Sequence, residues 1–308
     1  MKIAFLYAGQ GSQKVGMGLD FYQQYPAYRQ IVDSFSREYQ IAMHEGPMEQ
    51  LSLTSWTQPC MALFAAGVTQ LLKDERINPD YALGLSLGEY GALYGSGVWD
   101  LKTYIEVTAF RGLVMTEAAK GLRCKMIAVL NCDRAKLEEI CKLASNRGYV
   151  SIVNYNYAGQ YVICGEDEAV EEASQMALDA GAKRCIPLKV SGPFHTPFMK
   201  PAGDRLQEHF QNIEFKDPVC KIMSNASGTW VNHVTDIPDL LVKQVQSSVY
   251  FEDNLRLLIE EEPDLVVEIG PGKVLSGFLK KMAPSIRCMG IESVKDFEQV
   301  VNASKEVH

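Results

Sequence analysis

The chain is 308 residues long, 47% apolar and 22% charged, the composition of an ordinary soluble globular protein with room for one large domain or two unequal ones. A net charge of −8 argues against a general nucleic-acid binder, which carries a basic face, and no apolar run approaches the length of a membrane span. The eight cysteines are scattered, with no Cys-x-x-Cys pair and no histidine at metal-ligand spacing, so they read as buried, reduced thiols and not as a zinc framework.

Lys2 followed by Ile3-Ala4-Phe5-Leu6-Tyr7-Ala8 imitates a very short signal peptide. It lacks a small-x-small cleavage site and runs straight into Gly9-Gln10-Gly11-Ser12-Gln13, so 3–8 reads as a buried first strand and the protein as cytoplasmic. The pattern predicts a helix around 58–74, a strand at 81–85 and helices around 87–95 and 100–119, the last capped by Asp100. Such alternation implies an α/β fold with a mostly parallel sheet. From 124 the rhythm changes: strand 124–131, helix 134–146, strand 149–154, strand 161–164, helix 168–180 and strand 184–190. That order, βαββαβ, is the ferredoxin-like pattern. The expected organisation is a large α/β unit of 1–123 and 191–308, with a ferredoxin-like small subdomain of 124–190 inserted in it. The large unit resumes with a buried strand at 265–269 ahead of Gly270-Pro271-Gly272.

Gly84-Leu85-Ser86-Leu87-Gly88 sits between the apolar 81–83 segment and a helical stretch. That is the strand–tight turn–helix context of a nucleophile elbow, where glycines at both ends let strand and helix approach. A serine there stands exposed beside helix N-terminal amides able to stabilise an oxyanion. A base must accompany it, and the chain has five histidines. His44, His209 and His233 lie among polar, apparently exposed residues, and His308 is terminal. His195 lies in Ser191-Gly192-Pro193-Phe194-His195-Thr196-Pro197, where two prolines and a glycine fix the backbone as a general base requires. No acidic residue announces itself as the orienting third member, which leaves a side-chain amide or a main-chain carbonyl.

The turn Gly9–Gln13 fails as a dinucleotide loop, because Lys14 replaces the last glycine of Gly-x-Gly-x-x-Gly. It can supply an amide at the end of a strand, so Gln10 and Leu87 are candidates for an oxyanion hole. Arg111 shares a helical arc with Tyr104, Thr108 and Met115. Such an arginine usually snorkels to the surface, but one pointing inward suits a substrate carboxylate.

Taken together, these segments resemble the malonyl-CoA:acyl-carrier-protein transacylases of fatty acid synthesis and the related acyltransferase domains of polyketide synthases. The matching pieces span nearly the whole chain: Gly9–Gln13, Gly84–Glu89, Arg111-Gly112, Asn154 with Gly159-Gln160, Gly192–Thr196, Asn225, Gln244 and Gly270–Leu275. The resemblance implies an α/β-hydrolase-like large subdomain with a ferredoxin-like small one. It implies Ser86 as acyl-accepting nucleophile, His195 as base and the carbonyl of Gln244 orienting it. It also implies oxyanion amides from Gln10 and Leu87, with Arg111, Met115, Phe194 and Asn154 at the substrate. The implied substrate is malonyl-CoA, the acceptor an acyl carrier protein, with no cofactor and a monomeric enzyme. Two departures stand out. Leu85 replaces the histidine of the usual Gly-His-Ser-Leu-Gly, and Ala8 replaces a common proline. Phe194 before His195 resembles the malonyl-selective form of its motif.

Three other readings compete. An acyl-thioester hydrolase would use the same serine and histidine. Glu268–Gly272 imitates the glycine loop of a nucleotide-cofactor methyltransferase, but it falls too near the C-terminus and has Val274 where a third glycine belongs. A non-catalytic binding module would make the serine, histidine and arginine matches accidental. Docking of an acidic carrier protein calls for a basic patch, for which Lys183, Arg184, Lys189, Lys280 and Lys281 are candidates.

Overall fold

The computed structural model of the protein describes residues 1–188 and 192–305. Its strands in chain order are β1 (Ile3–Tyr7), β2 (Tyr81–Gly84), β3 (Lys125–Leu130), β4 (Val150–Tyr157), β5 (Gln160–Gly165), β6 (Arg184–Pro187), β7 (Lys221–Ser224), β8 (Thr229–Trp230), β9 (Val249–Tyr250), β10 (Leu265–Ile269) and β11 (Cys288–Ile291). They form two sheets. The larger runs β11-β10-β1-β2-β7-β8, parallel except at the β7–β8 edge. Every residue of β1, β2 and β10 is buried, as a parallel sheet covered by helices on both faces requires.

The smaller sheet runs β6-β3-β5-β4-β9. Its first four strands, with helices Arg134–Ala144 and Asp167–Asp179, make the ferredoxin-like unit in an α/β fold. The fifth strand was not expected. β9 comes from the large unit and pairs parallel with β4 at Asn154↔Val249 and Tyr155↔Tyr250. The stacked rings of Tyr155 and Tyr250, 5.0 Å apart, reinforce that pairing. Arg134, on the helix Arg134–Ala144, donates to both carboxylate oxygens of Asp253 at 2.9 and 3.0 Å and so ties the small unit to the helix that follows β9. β9 matters for function because it follows the helix Ile237–Gln246, which carries Gln244.

Other expectations need adjustment. The first long helix begins at Thr54, not near 58, and carries Pro59 within it. β4 continues through Asn154 to Tyr157, with a bulge between Ile152 and Asn154. Four short helices fill 19–51, where the sequence predicts nothing definite. The end of the predicted 184–190 strand, the 190/191 boundary, Ser191 and His308 lie outside the described residues. All eight cysteines are free, but only Cys60, Cys132, Cys141 and Cys164 are buried; the rest are partly accessible. Among the described residues no helix is long and apolar enough to cross a membrane.

Candidate active site

The site forms at the carboxyl ends of β1 and β2. β2 ends at Gly84 and the helix Leu87–Gly95 begins three residues later, leaving Leu85 and Ser86 to turn the chain. The turn closes only because its glycines have no side chains. A Cβ on Gly84 would lie 2.1 Å from the Gly88 carbonyl carbon, and one on Gly88 would lie 1.9 Å from the Tyr7 oxygen. Ser86 takes the strain, with φ 53° and ψ −102°. Asn225, just past β7, holds it there. Its Oδ1 accepts from the Ser86 N–H at 2.7 Å, and its Nδ2 donates to the Gly84 carbonyl at 2.9 Å.

His195 reaches the serine from 109 residues away, its Nε2 2.8 Å from Ser86 Oγ. Its backbone has φ 63°, and the following Thr196 is held extended by Pro197. Its Nδ1 lies 2.7 Å from the main-chain oxygen of Gln244, so Nδ1 carries the proton and Nε2 is left to accept. The group that holds the ring is therefore the carbonyl of Gln244, one of the alternatives the sequence leaves open. Burial first, and the Arg111 charge second, push the His195 pKa down to about 4, so the ring is neutral at physiological pH.

Arg111 does not snorkel. It is 1% exposed on the helix Leu101–Ala119 and stacks over the Tyr90 ring, 4.9 Å from its centroid. Its Nη2 donates to Ser86 Oγ at 3.1 Å and to Gln244 Oε1 at 2.9 Å, and its buried Nε has no partner among the described residues. Met115, one turn on, is buried and accepts from Gln58 Nε2 through sulfur at 3.4 Å. Phe194 is buried beside His195, where the ring would meet a Cβ placed on Gly192 at 3.2 Å.

Leu87 opens the helix after Ser86, so helix geometry leaves its N–H without an intrahelical acceptor. Gln10 follows β1 on the adjacent loop. A Cβ on neighbouring Gly9 would lie 2.5 Å from the Leu85 oxygen, so this loop rests directly on the elbow. Gln10 itself anchors to Thr54 Oγ1 through Nε2 at 3.0 Å. Asn154 is half-buried on β4 where β9 joins, with no hydrogen bond tying it to Ser86, His195 or Arg111 among the described residues. Two positions along the same strand, Asn156 holds a buried Oδ1 without a partner among the described residues.

Sequence reasoning missed Glu89. It is 3% exposed in the first turn after Ser86, and its Oε2 accepts from Gln244 Nε2 at 2.7 Å and from the Asn225 N–H at 3.0 Å. Gln244 Nε2 also donates to the Ser86 carbonyl at 2.9 Å. Burial pushes the Glu89 pKa up to about 7 against the bonds from Gln244, Asn225 and Ser224. The one available signal was its place in Gly84–Glu89, an acid where an amphipathic helix would open.

The remaining candidates separate from this centre. His44 and His209 are half-buried, not exposed, and pack on Tyr22 and Phe110 with ring centroids 5.1 and 4.1 Å apart. Glu268 is spent inside the fold. It is buried on β10 and caps the helix Val274–Met282, accepting from Leu275 N at 2.9 Å and Ser276 N at 2.7 Å. The carboxylate that a methyltransferase loop would offer to a nucleotide is thus unavailable. Lys183 and Arg184 are exposed at the start of β6, while Lys280 and Lys281 are exposed on a helix that meets β4 through Tyr157 and Phe278. Three strand spacings, about 14 Å, separate β6 from β4, so the two pairs are not one compact patch. Lys189 lies outside the described residues.

A strained serine bonded to a neutral histidine, itself held by a carbonyl, is a nucleophile–base pair suited to acyl transfer. Comparison with known proteins agrees: the model of the acyl transferase domain matches residues 4–301. The chain belongs to the acyl transferase family. Within it, the chain is 37% identical to a malonyl CoA-acyl carrier protein transacylase of Bacillus subtilis strain 168, over 99% of this chain and 98% of that protein. It is 33% identical to the protein of the same name from Haemophilus influenzae, over 97% and 98% of the two chains. Among solved structures, MCAT from Streptococcus pneumoniae superimposes with a TM-score of 0.93 at 39% identity, covering 98% of this chain and 100% of that one. A malonyl-transacylase in complex with its type II PKS acyl-carrier protein gives a TM-score of 0.93 at 31% identity, with the same coverage. Fold and acyltransferase class are shared over essentially the entire length.

Proposed function

We propose that this acyltransferase moves a malonyl group from malonyl-CoA to the phosphopantetheine thiol of an acyl carrier protein, supplying fatty acid or polyketide synthesis. The observation that carries the reading is Arg111, a buried guanidinium 3.1 Å from the serine oxygen. A planar cation beside the nucleophile suits an acyl group that ends in a carboxylate. His195 Nε2 takes the Ser86 proton as Oγ attacks the thioester carbon, and the amides of Gln10 and Leu87 hold the oxyanion. The carbonyl re-forms, the C–S bond breaks, and His195 returns the proton to the departing CoA sulfur. The carrier thiol then reverses these steps on the malonyl-serine. Met115 and Phe194 wall the acyl site, with Asn154 at its edge. No step calls for a cofactor. The free cysteines fit the reducing cytoplasm. Ser86, His195, Gln244 and Arg111 all come from one chain, so a monomer would carry a complete site.

The test is intact mass after incubation with malonyl-CoA, followed by addition of holo carrier protein. The expected result is a malonyl adduct that persists until the carrier is added and then moves to it. Release of free malonate at the same rate with or without carrier would make the protein a thioester hydrolase. Absence of any adduct would favour a binding module.

Two further results are expected. With a base whose pKa is about 4, acylation at saturating malonyl-CoA should be flat from neutrality to about pH 5. Below pH 4 it should fall about tenfold per unit, as imidazolium cannot accept a proton. A single-turnover pH profile with its limb near 6.5, the ordinary imidazole value, would contradict the buried-base assignment. Leu85→His should change transfer by less than about tenfold, or 1.4 kcal/mol. Leu85 flanks the nucleophile against an apolar cluster, and the base position is already filled by His195. A much larger gain in kcat/KM would assign that position a catalytic part.

A further inference from the structure

Glu89 is a buried carboxylate beneath Ser86 for which the acyl-transfer steps have no use. It anchors one end of a polar chain that finishes at the substrate-facing cation. Arg111 Nη2 donates to Gln244 Oε1 at 2.9 Å, and Gln244 Nε2 donates to Glu89 Oε2 at 2.7 Å. The two ends of the Gln244 amide are not interchangeable in this setting. A guanidinium only donates, so it faces the Gln244 oxygen, and Glu89 Oε2, which also takes the Asn225 N–H, accepts from the amide NH2. A flipped amide would set its oxygen against Glu89 and its NH2 against Arg111. Glu89 is itself held still by the Asn225 N–H at 3.0 Å, and Asn225 Oδ1 holds the Ser86 N–H at 2.7 Å. The elbow, Glu89 and the Gln244 amide therefore share one frame. Tyr90, the next residue in the chain, supports the guanidinium from its face.

We propose that Glu89 is a positioning residue that fixes the Gln244 amide, and through it aims the Arg111 fork at the acyl carboxylate, so that it sets acyl selectivity without touching substrate. Orientation matters because a bidentate carboxylate contact tolerates little rotation of the fork. The main-chain carbonyl of the same Gln244 orients His195, so a loosened side chain should disturb selectivity more than the base. This inference rests on the malonyl reading above.

The experiment compares kcat/KM for malonyl-CoA and acetyl-CoA in the wild type, Glu89→Asp and Glu89→Gln, with thermal melting of each. Glu89→Asp withdraws the acceptor by one methylene and leaves the amide NH2 held only by the Ser86 carbonyl. The malonyl-to-acetyl ratio should fall by at least about tenfold, mainly through the KM for malonyl-CoA. Glu89→Gln can still turn an oxygen toward Gln244 Nε2 and Asn225 N, and should stay within about threefold of the wild-type ratio. An unchanged ratio in Glu89→Asp, or an equal loss on both substrates, reduces Glu89 to support of the elbow and overturns the proposal. A ratio as low in Glu89→Gln as in Glu89→Asp also overturns it, because charge and not amide orientation would then set selectivity. Wild type that forms an acyl-serine but shows no malonyl preference instead overturns the malonyl reading itself.

Discussion

Ser86→Ala is expected to lose the acyl adduct completely and to lower transfer by at least about 10⁴-fold, the scale on which removing one member of a catalytic serine–histidine unit acts. The substitution removes only Oγ, together with its contacts to His195 Nε2 at 2.8 Å and Arg111 Nη2 at 3.1 Å. The strained backbone survives the change, because the bonds that impose it use main-chain atoms. The Ser86 N–H donates to Asn225 Oδ1, and its carbonyl accepts from Gln244 Nε2. Alanine feels the positive φ much as serine does, and no buried charge is created. Two hydrogen bonds go, one of them from a charged donor that keeps its Gln244 partner, so stability should fall by no more than about 3 kcal/mol. Intact mass and peptide mapping after malonyl-CoA treatment, with a melting curve beside them, check both halves. An adduct that persists in the variant, or one that maps to a cysteine in the wild type, would remove Ser86 from the mechanism.

What the sequence reveals of this site follows the range over which each feature is determined. The elbow is legible because its constraints are local: Gly84 and Gly88 stand where a Cβ would meet backbone at about 2 Å, and no other residue type closes that turn. His195 is legible because prolines two residues before and after it announce a fixed backbone. The ferredoxin-like unit is legible because short apolar runs bracket two amphipathic helices in βαββαβ order. β9 is different. Two residues carry no period, and Val249-Tyr250 is a strand only because β4 lies beside it. The direction of Arg111 is hidden for a related reason. Its helix buries Tyr104, Ile105, Val107, Thr108, Gly112 and Val114 on several faces, so no apolar stripe marks the inward side. His44 and His209 look exposed by their sequence neighbours, yet Tyr22 and Phe110 cover them from more than 20 and nearly 100 residues away. Glu89 escapes because an acid in the first turn of a helix is normally a dipole partner at the surface. Here the whole helix Leu87–Gly95 is buried, and Gln244 and the Asn225 N–H meet the carboxylate inside.

Arg111→Ala is expected to lower kcat/KM for malonyl-CoA by roughly ten- to a hundredfold while leaving acetyl-CoA unchanged or improved, because malonyl differs from acetyl by a single carboxylate. Burying that charge without a partner is costly, and losing a charged hydrogen-bonding partner costs about 1.5–3 kcal/mol. Arg111→Lys should recover only part of the preference, since an ammonium restores charge but not a planar fork. A second effect separates an inward arginine from a merely structural one. The Arg111 charge is the second-largest cause holding the His195 pKa down, after burial. Its removal should move the low-pH limb of acylation upward from about 4, toward but not reaching the ordinary imidazole value, because burial remains. The variant also leaves Gln244 Oε1 without its donor, so some loss of thermal stability is expected. That loss should fall on both substrates alike and so cannot imitate a change in their ratio. Measuring both thioesters and the pH limb on both proteins decides the matter. If the malonyl-to-acetyl ratio and the limb are the same before and after, the guanidinium beside Ser86 does not read the acyl carboxylate, and the malonyl assignment loses the observation that carries it.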